Sequence, residues 1–173
     1  MPWGTVKYDY DVQGRVRAIK LPEGGTIEID QHPDGRRKEI RYPNGVVTRF
    51  SYKHTRLQSV VTKKHDKVLE QRSYGYDKNG RVAWTEGLSG ERTHYVHDAR
   101  GRLTRVQSKA ETVTYSYDAM GNRTQETRGG KTITTQIGAG NRVVNRLAPG
   151  TKTQTFTYSA QGAMTSATNA EGT

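Results

Sequence analysis

One short phrase recurs along this chain of 173 residues and constrains its fold more than any other feature. Its clearest copy is YSYDAMGNRT at residues 115–124, in which two tyrosines one residue apart precede an aspartate, two variable residues and a glycine. Successive copies lie 19 to 25 residues apart, and a regular period of this size indicates a repeat architecture. Aligning the copies on the glycine gives Gly14, Gly35, Gly80, Gly101, Gly121, Gly140 and Gly162, with Thr55 in the place between Gly35 and Gly80.

Each copy has the pattern of a β-hairpin. Tyr115 and Tyr117 are two residues apart, so on an extended strand both side chains point to the same face. Asp118 falls at the first position of a four-residue turn, where its side chain can accept hydrogen bonds from turn amides. Gly121 falls at the last position, where the backbone becomes left-handed. Because Gly129 is assigned no such conformation, we expect Gly121→Val to damage folding more than the same change at Gly129.

A second turn signal, rich in glycine, proline or charge, follows each motif, so one repeat consists of strand, turn, strand and turn. We therefore predict an all-β fold, an antiparallel sheet of about eight consecutive hairpins with 20–21 residues per repeat. The whole chain, residues 1–173, is predicted to be a single repeat array. Regular repeats cover 5–20 and 72–128, and degenerate repeats cover 26–61 and 131–173.

Five copies of the motif align without gaps, and we assign their shared positions a structural role. These positions are Tyr8, Tyr10, Asp11, Gly14 and Arg15; Tyr74, Tyr76, Asp77, Gly80 and Arg81; Tyr95, Asp98, Gly101 and Arg102; Tyr115, Tyr117, Asp118 and Gly121; and Phe156, Tyr158 and Gly162. The tyrosine pairs are predicted to pack as a ladder between neighbouring hairpins. A platform for stacking sugars or bases is the alternative, and it requires exposed rings.

Two segments depart from the motif. The turn within RFSYKHTRL, residues 49–57, has lost one residue and its glycine. The following insertion, residues 62–71, is expected to form an irregular loop. No segment has a sustained helical period of apolar residues, so almost no helix is expected.

The chain is poor in apolar residues, with 31% hydrophobic residues and a mean hydropathy of −0.92. Such a composition permits disorder. Ten tyrosines and their regular placement favour instead a sheet with one polar face. The absence of cysteine excludes disulfides and thiolate metal sites. No membrane span and no signal peptide are visible in this sequence, which we interpret as a piece of a longer protein.

The net charge of +11 favours acidic partners. Arginines recur directly after the turn glycines, as Arg15, Arg36, Arg81 and Arg102, and neighbouring hairpins would stack them into a row. One interpretation is a solvated rim that discourages edge-to-edge aggregation. The other is an anion-binding stripe.

The phrases YDYDVQGR, YGYDKNGR, YVHDARGR and YSYDAMGNR resemble the YD repeats of Rhs proteins, of the B and C components of Tc toxins, and of teneurins. The resemblance implies hairpins laid side by side in a curved, spiral sheet that closes into a shell. In the bacterial members the shell encloses a toxic C-terminal cargo, which implies a secreted or cell-surface location for the parent protein. The aspartate-driven self-cleavage segment that ends Rhs cores has no match here, since the chain contains no Asp-Pro dipeptide.

Patterns for catalysis or cofactor binding are weak. DYDVQGR at Asp9 begins like a calcium loop, but Lys20 stands where the closing glutamate belongs. His94 and His97 are three residues apart, which places them on opposite faces of a strand. GAGNR at Gly138 lacks the third glycine of a dinucleotide loop. We expect no metal, no cofactor and no enzymatic activity.

Three functions stay open from the sequence. The first is a structural segment of an Rhs-type shell, whose partners are other YD-repeat segments and the toxin cargo, with self-association through sheet edges. The second is an extracellular surface that binds an acidic glycan or cell-wall polymer. The third, nucleic-acid binding, rests on charge alone.

Overall fold

In a computed structural model, which describes residues 4–168, the chain consists almost wholly of antiparallel strands. The strands fall into two compact units, residues 1–92 and 93–173. The first unit contains β1 (Lys7–Tyr10), β2 (Val16–Lys20), β3 (Thr26–Gln31), β4 (Arg37–Arg41), β5 (Val46–Lys53), β6 (Arg56–Lys64), β7 (Lys67–Tyr76) and β8 (Val82–Gly87).

The second unit begins within β9 (Arg92–His97), whose first residue still belongs to the first unit. It continues with β10 (Leu103–Gln107), β11 (Thr112–Tyr117), β12 (Arg123–Arg128), β13 (Lys131–Gly138), β14 (Arg142–Leu147), β15 (Gln154–Tyr158) and β16 (Met164–Thr168). A three-residue 3-10 turn, Ala139–Asn141, connects β13 and β14 and is the one helical element among residues 4–168. The predictions of consecutive hairpins and of almost no helix are confirmed.

Within each unit every strand pairs antiparallel with its neighbours in the sequence. The register shifts by one residue just before the second aromatic position of the motif, for example between Asp9 and Tyr10 and between Ser116 and Tyr117. Such a β-bulge increases the local twist of a strand pair. The same irregularity therefore recurs at the same end of successive hairpins.

The two faces of each sheet differ in character. In the first unit Tyr8, Ile19 and Ile27 are successive cross-strand partners on one face. The other face carries ion pairs, including Lys20 with Asp9 at 2.9 Å. Among residues 4–168 only Ile40 and Val113 are buried apolar residues. A sheet with one polar face thus accounts for the low hydrophobic content of the chain.

The insertion at residues 62–71 does not form the irregular loop that we expected. It lengthens β6 to nine residues and β7 to ten, and the two strands meet at a tight turn of His65 and Asp66. The prediction was wrong because the added residues extend both strands as one paired hairpin, with a register shift between Thr62 and Lys63, and β-branched residues such as Val61 and Val68 suit paired strands. His65 adopts the left-handed conformation, with φ of 52°, that a two-residue turn requires.

The expectation that Gly129 needs no left-handed conformation was also wrong. Gly129 and Gly130 form a two-residue turn between β12 and β13, and both have positive φ, 53° and 75°. Gly121 has a φ of 95°, beyond the left-handed region that non-glycine residues visit. Both positions are therefore strained by a β-branched side chain, and the strain is larger at Gly121.

We predict that Gly121→Val and Gly129→Val both lower the melting temperature, and that Gly121→Val lowers it more. Thermal unfolding followed by circular dichroism checks the order. A Gly129→Val protein as stable as the parent, or less stable than Gly121→Val, contradicts it.

Candidate functional site: the turn ladder

The turn at Asp98 shows how one repeat closes. The Gly101 amide donates to the Asp98 carbonyl at 3.0 Å, and the Asp98 amide donates to the Arg102 carbonyl at 2.9 Å. The Asp98 carboxylate accepts the Arg102 amide at 2.9 Å and the Arg102 Nε at 2.7 Å. The side chain of the motif aspartate therefore fixes both the backbone of the turn and the arginine that follows it.

The same closure recurs at the other complete turns. Asp11 accepts from the Arg15 amide at 2.9 Å and from its Nε at 2.7 Å, and Asp77 makes the same two bonds to Arg81 at 2.9 and 2.7 Å. At Asp118 the arginine is replaced by Asn122, whose amide and Nδ2 donate at 2.8 and 2.9 Å.

These hydrogen bonds stabilise ionised carboxylates. The backbone amide of the arginine, followed by its guanidinium, lowers the pKa of Asp11, Asp77 and Asp98 below the ordinary value. At Asp118 the Asn122 side chain, followed by its backbone amide, lowers the pKa of the carboxyl.

We call the first residue after each turn the ladder position. Four arginines at this position also reach the backbone of the next turn. Arg15 Nη1 donates to the His32 carbonyl at 3.1 Å, Arg36 Nη1 to the His54 carbonyl at 2.5 Å and Arg102 Nη1 to the Asp118 carbonyl at 2.9 Å. Arg142 Nη1 lies 3.5 Å from the Ser159 carbonyl. An arginine therefore joins its own turn to the backbone of the neighbouring turn.

A second bond connects the hairpins in the opposite direction. Tyr76 donates its hydroxyl to the Leu57 carbonyl at 2.7 Å, Tyr117 to the Leu103 carbonyl at 2.7 Å and Tyr158 to the Val143 carbonyl at 2.8 Å. In every case the acceptor is the residue directly after the ladder position of the preceding hairpin. Burial raises the pKa of Tyr76, which keeps its hydroxyl protonated for this bond.

The arginine of one hairpin also lies over the tyrosine of the next. The guanidinium carbons of Arg36 and Arg102 are 4.6 and 4.8 Å from the ring centres of Tyr52 and Tyr117. Arg56 and Arg142 lie 5.6 Å from the ring centres of Tyr76 and Tyr158. We call this combination of tyrosine hydroxyl, preceding carbonyl and covering arginine the hairpin latch. Cation–π contacts of this kind contribute about 0.5–1 kcal/mol each at exposed sites.

In the structure the predicted motif residues lie in two places, some at the turn of each hairpin and some on the strand before it. The aspartates, glycines and arginines form the turns, and the second aromatics Tyr76, Tyr117 and Tyr158 form latches. First aromatics, such as Tyr74, Tyr95, Tyr115 and Phe156, lie two residues earlier on the strands and are half-buried. Tyr8 and Tyr10, on the first strand, are 51% and 56% exposed.

Sequence reasoning missed two kinds of contributor. Gln31 stands in for a second tyrosine, and its Nε2 donates to the Val16 carbonyl at 2.9 Å. Arg56 and Arg142 occupy ladder positions in turns that lack the aspartate. Aligning the repeats on the residue after the turn, instead of on the glycine, would have found both arginines.

The four arginines predicted as an anion-binding stripe already have acidic partners. Arg15, Arg81 and Arg102 lie 2.7 Å from the carboxylates of their own turns, and Arg36 Nη2 lies 2.5 Å from Asp34. The side-chain bond from Arg36, followed by its amide, lowers the pKa of Asp34 to about 2. Anion binding at these four residues stays a prediction. Their positive charges are already paired with the carboxylates of the turns.

Residues 4–168 contain no group of three or more histidine, aspartate and glutamate side chains that could hold a metal ion. His94 and His97 belong to β9, where His94 is exposed and His97 half-buried. Over the same residues there is no helix with the length and apolarity needed to span a membrane.

Comparison with known proteins gives one family and one fold. The sequence model of the teneurin YD-shell matches residues 46–171. None of the curated protein sequences matches the chain significantly.

Solved structures share the architecture at low sequence identity. The crystal structure of TcdB2–TccC3–Cdc42 is similar with a TM-score of 0.69 and 18% identity, over 96% of this chain and 11% of that chain. The crystal structure of TcdB2–TccC3 gives 0.68 and 19%, over 94% and 11%. A Tc holotoxin pore of Photorhabdus luminescens gives 0.52 and 15%, over 96% and 13%. These likenesses show the fold, and this chain spans 11–13% of the length of those chains.

Proposed function

The chain belongs to the teneurin YD-shell family, and from this premise we propose that it is a non-enzymatic wall segment of a shell that encloses a toxin cargo. Its partners are then other YD-repeat segments of the parent protein and the cargo itself, in a secreted or cell-surface assembly. The observation that carries the proposal is the hairpin latch, which recurs at Tyr76, Tyr117 and Tyr158 and ties each of these hairpins to the one before it. Repeated contacts between neighbours are what a wall requires.

The two outer strands, β1 and β16, each carry one part of a hairpin latch without the other part. Tyr10 on β1 occupies the second-tyrosine position, and its hydroxyl has no hydrogen-bond partner within residues 4–168. Met164 on β16 occupies the acceptor position, directly after Ala163 in the place of the ladder arginine. Antiparallel addition of another hairpin at β1 repeats the geometry of the internal β2–β3 pair.

We predict that Ala163→Arg strengthens head-to-tail association of this chain. The new guanidinium would cover Tyr10 of a second copy, while the Tyr10 hydroxyl bonds the Met164 carbonyl. A charged hydrogen bond with a cation–π contact corresponds to about a tenfold lower dissociation constant. Light scattering and sedimentation over a concentration series measure it, at about 0.15 M salt to screen the net charge.

Two variants make the test specific. Ala160→Arg adds the same charge to the same turn outside the ladder position, and it should leave association unchanged. Tyr10→Phe in the Ala163→Arg background should remove most of the gain. Equal effects of the two arginine variants, or no effect of Tyr10→Phe, would overturn the proposed joining of wall segments.

A further inference from the structure

The turn between β5 and β6 reverses the charge of the motif. Where complete turns have Asp11, Asp77 or Asp98, this turn has Lys53, and its ladder position is Arg56. Only His54 and Thr55 separate the two strands, so the turn is shorter than its neighbours. The aspartate–arginine ion pair of the complete turns is therefore replaced by two cationic side chains, Lys53 and Arg56.

The two cations face each other without compensation. Lys53 and Arg56 are direct cross-strand partners, and like charges in such positions repel. Neither has an ion pair with any carboxylate among residues 4–168, whereas Arg15 and Arg102 have theirs at 2.7 Å. An anion placed between Lys53 and Arg56 would relieve this repulsion.

The Arg56 guanidinium is already positioned. It lies over the Tyr76 ring, 5.6 Å from its centre, and against Gly80, where an added Cβ would lie 2.4 Å from Nη2. A donor fixed by packing loses less entropy on binding a ligand than a free side chain does. The fork of an arginine fits a carboxylate with two parallel hydrogen bonds.

A cavity of about 680 Å³ opens at this turn. Lys53, His54, Thr55 and Arg56 form its exposed rim together with Gln58, and half-buried Tyr74, Tyr76 and Trp84 form its floor. The lining contains two cationic side chains, Lys53 and Arg56, and no carboxylate. The volume lies in the range of sites for small molecules, roughly 300–1,000 Å³.

We propose that this notch, lined by Lys53, Arg56 and Gln58, binds the carboxylate of an acidic sugar such as a uronate. The ligand carboxylate takes the role that the aspartate side chain has in the complete turns, accepting from the Arg56 guanidinium and pairing with the Lys53 ammonium. Gln58 and His54 supply donors and acceptors for sugar hydroxyls. This binding is independent of the role of the chain as a wall segment.

The test titrates the 173-residue chain with trigalacturonate, with its neutral counterpart galactotriose, and with inorganic phosphate. Isothermal calorimetry and amide chemical shifts around residues 53–58 report binding. Trigalacturonate should bind, and galactotriose should not bind measurably. Phosphate binding as tight as trigalacturonate, or no shift at residues 53–58, would overturn the assignment of an acidic sugar.

Substitutions locate the site. Lys53→Met and Arg56→Met should each weaken trigalacturonate binding by about tenfold or more, since each removes a charged hydrogen-bond donor. Arg56→Lys keeps the charge but loses the fork, so it should also bind more weakly than the parent. Lys78→Met removes the same charge from the exposed part of the complete Asp77 turn and should change binding less than about twofold. Equal effects of Lys53→Met and Lys78→Met would show non-specific attraction and overturn the site.

Restoring the motif provides the opposite control. Lys53→Asp returns the aspartate to its position beside Arg56, so this variant should lose trigalacturonate binding and melt at a higher temperature than the parent. A higher melting temperature shows that the variant is folded and that the cations repel in the parent. Retained binding would contradict the proposed place of the ligand carboxylate.

Discussion

Gly75→Ala is expected to destabilise the first unit by about 1–3 kcal/mol, because the added methyl group overpacks the sheet against Trp84. Gly75 and Trp84 are cross-strand partners on β7 and β8. A Cβ at Gly75 would lie 2.0 Å from the indole Nε1 and 2.1 Å from Cε2, which is far inside van der Waals contact. Arg92 lies over the ring, 4.3 Å from its centre, and is held by Glu86 at 2.5 Å, so the indole has little freedom to move away.

The matched control is Gly87→Ala on the adjacent strand. Gly87 has an ordinary backbone conformation, and an added Cβ would meet nothing within 4 Å. Alanine in a strand restricts the unfolded chain more than glycine does, so Gly87→Ala should be neutral or slightly stabilising. The two substitutions are chemically identical, but only Gly75→Ala should destabilise the protein.

Trp84 fluorescence gives a local readout of the Gly75 prediction. In a Trp3→Phe background, the emission of Trp84 should shift to longer wavelength in Gly75→Ala, and its unfolding transition should move to lower denaturant. Gly87→Ala should leave the emission unchanged. Similar stability of the two alanine variants would show that Trp84 does not pack on Gly75.

The hairpin fold could be predicted from the sequence because its determinants are local. The aspartate at the first turn position and the glycine at the last, as in Asp118 and Gly121, define the turn within four residues. The spacing of the tyrosines then sets the face of the strand. A recurring local signal of this kind leaves few alternatives for the architecture.

The two wrong predictions concern sequence patterns that are compatible with more than one local structure. An insertion can form a loop or lengthen a hairpin, and the outcome at residues 62–71 depended on whether the added residues of both strands pair with each other. Gly129 was assigned no left-handed conformation, but the pairing of Arg128 with Lys131 leaves only two residues for the turn, and Gly129 adopts positive φ there. Both errors concern register, which only the assembled sheet determines.

The latch could not be predicted from the motif alone. Tyr117 and Leu103 are 14 residues apart and belong to different hairpins, so their bond depends on how the hairpins align. Gln31 shows that an amide can replace the tyrosine hydroxyl, which breaks the aromatic pattern. The charge reversal at Lys53 is visible in the sequence. That Lys53 lies directly across from Arg56 is seen only in the sheet.

Acid is expected to unfold this chain over a defined range of pH. The carboxyls of Asp9, Asp11, Asp34, Asp77, Asp98 and Asp118, and that of Glu39, have pKa values lowered by hydrogen bonds from lysine, arginine, asparagine or backbone amides. A lowered pKa in the folded state means that the unfolded chain binds protons more readily. The stability from these groups is present above their unfolded pKa values, about 4, and is lost as the pH falls toward the folded values, about 2 at Asp34.

The melting temperature should therefore be nearly constant from about pH 7 to pH 5 and should fall steeply between about pH 4 and pH 2. The double variant Asp77→Asn with Asp98→Asn should melt lower than the parent at neutral pH, since it loses two of the turn carboxylates. The difference should shrink as the pH falls toward 2 and the carboxyls of the parent take up protons. Asp66→Asn is the matched control, because Asp66 has no hydrogen bond or ion pair within the part of the chain that the structure describes. If the double variant and the parent keep the same difference in melting temperature down to pH 2, the turn carboxylates do not supply the stability that we assign to them.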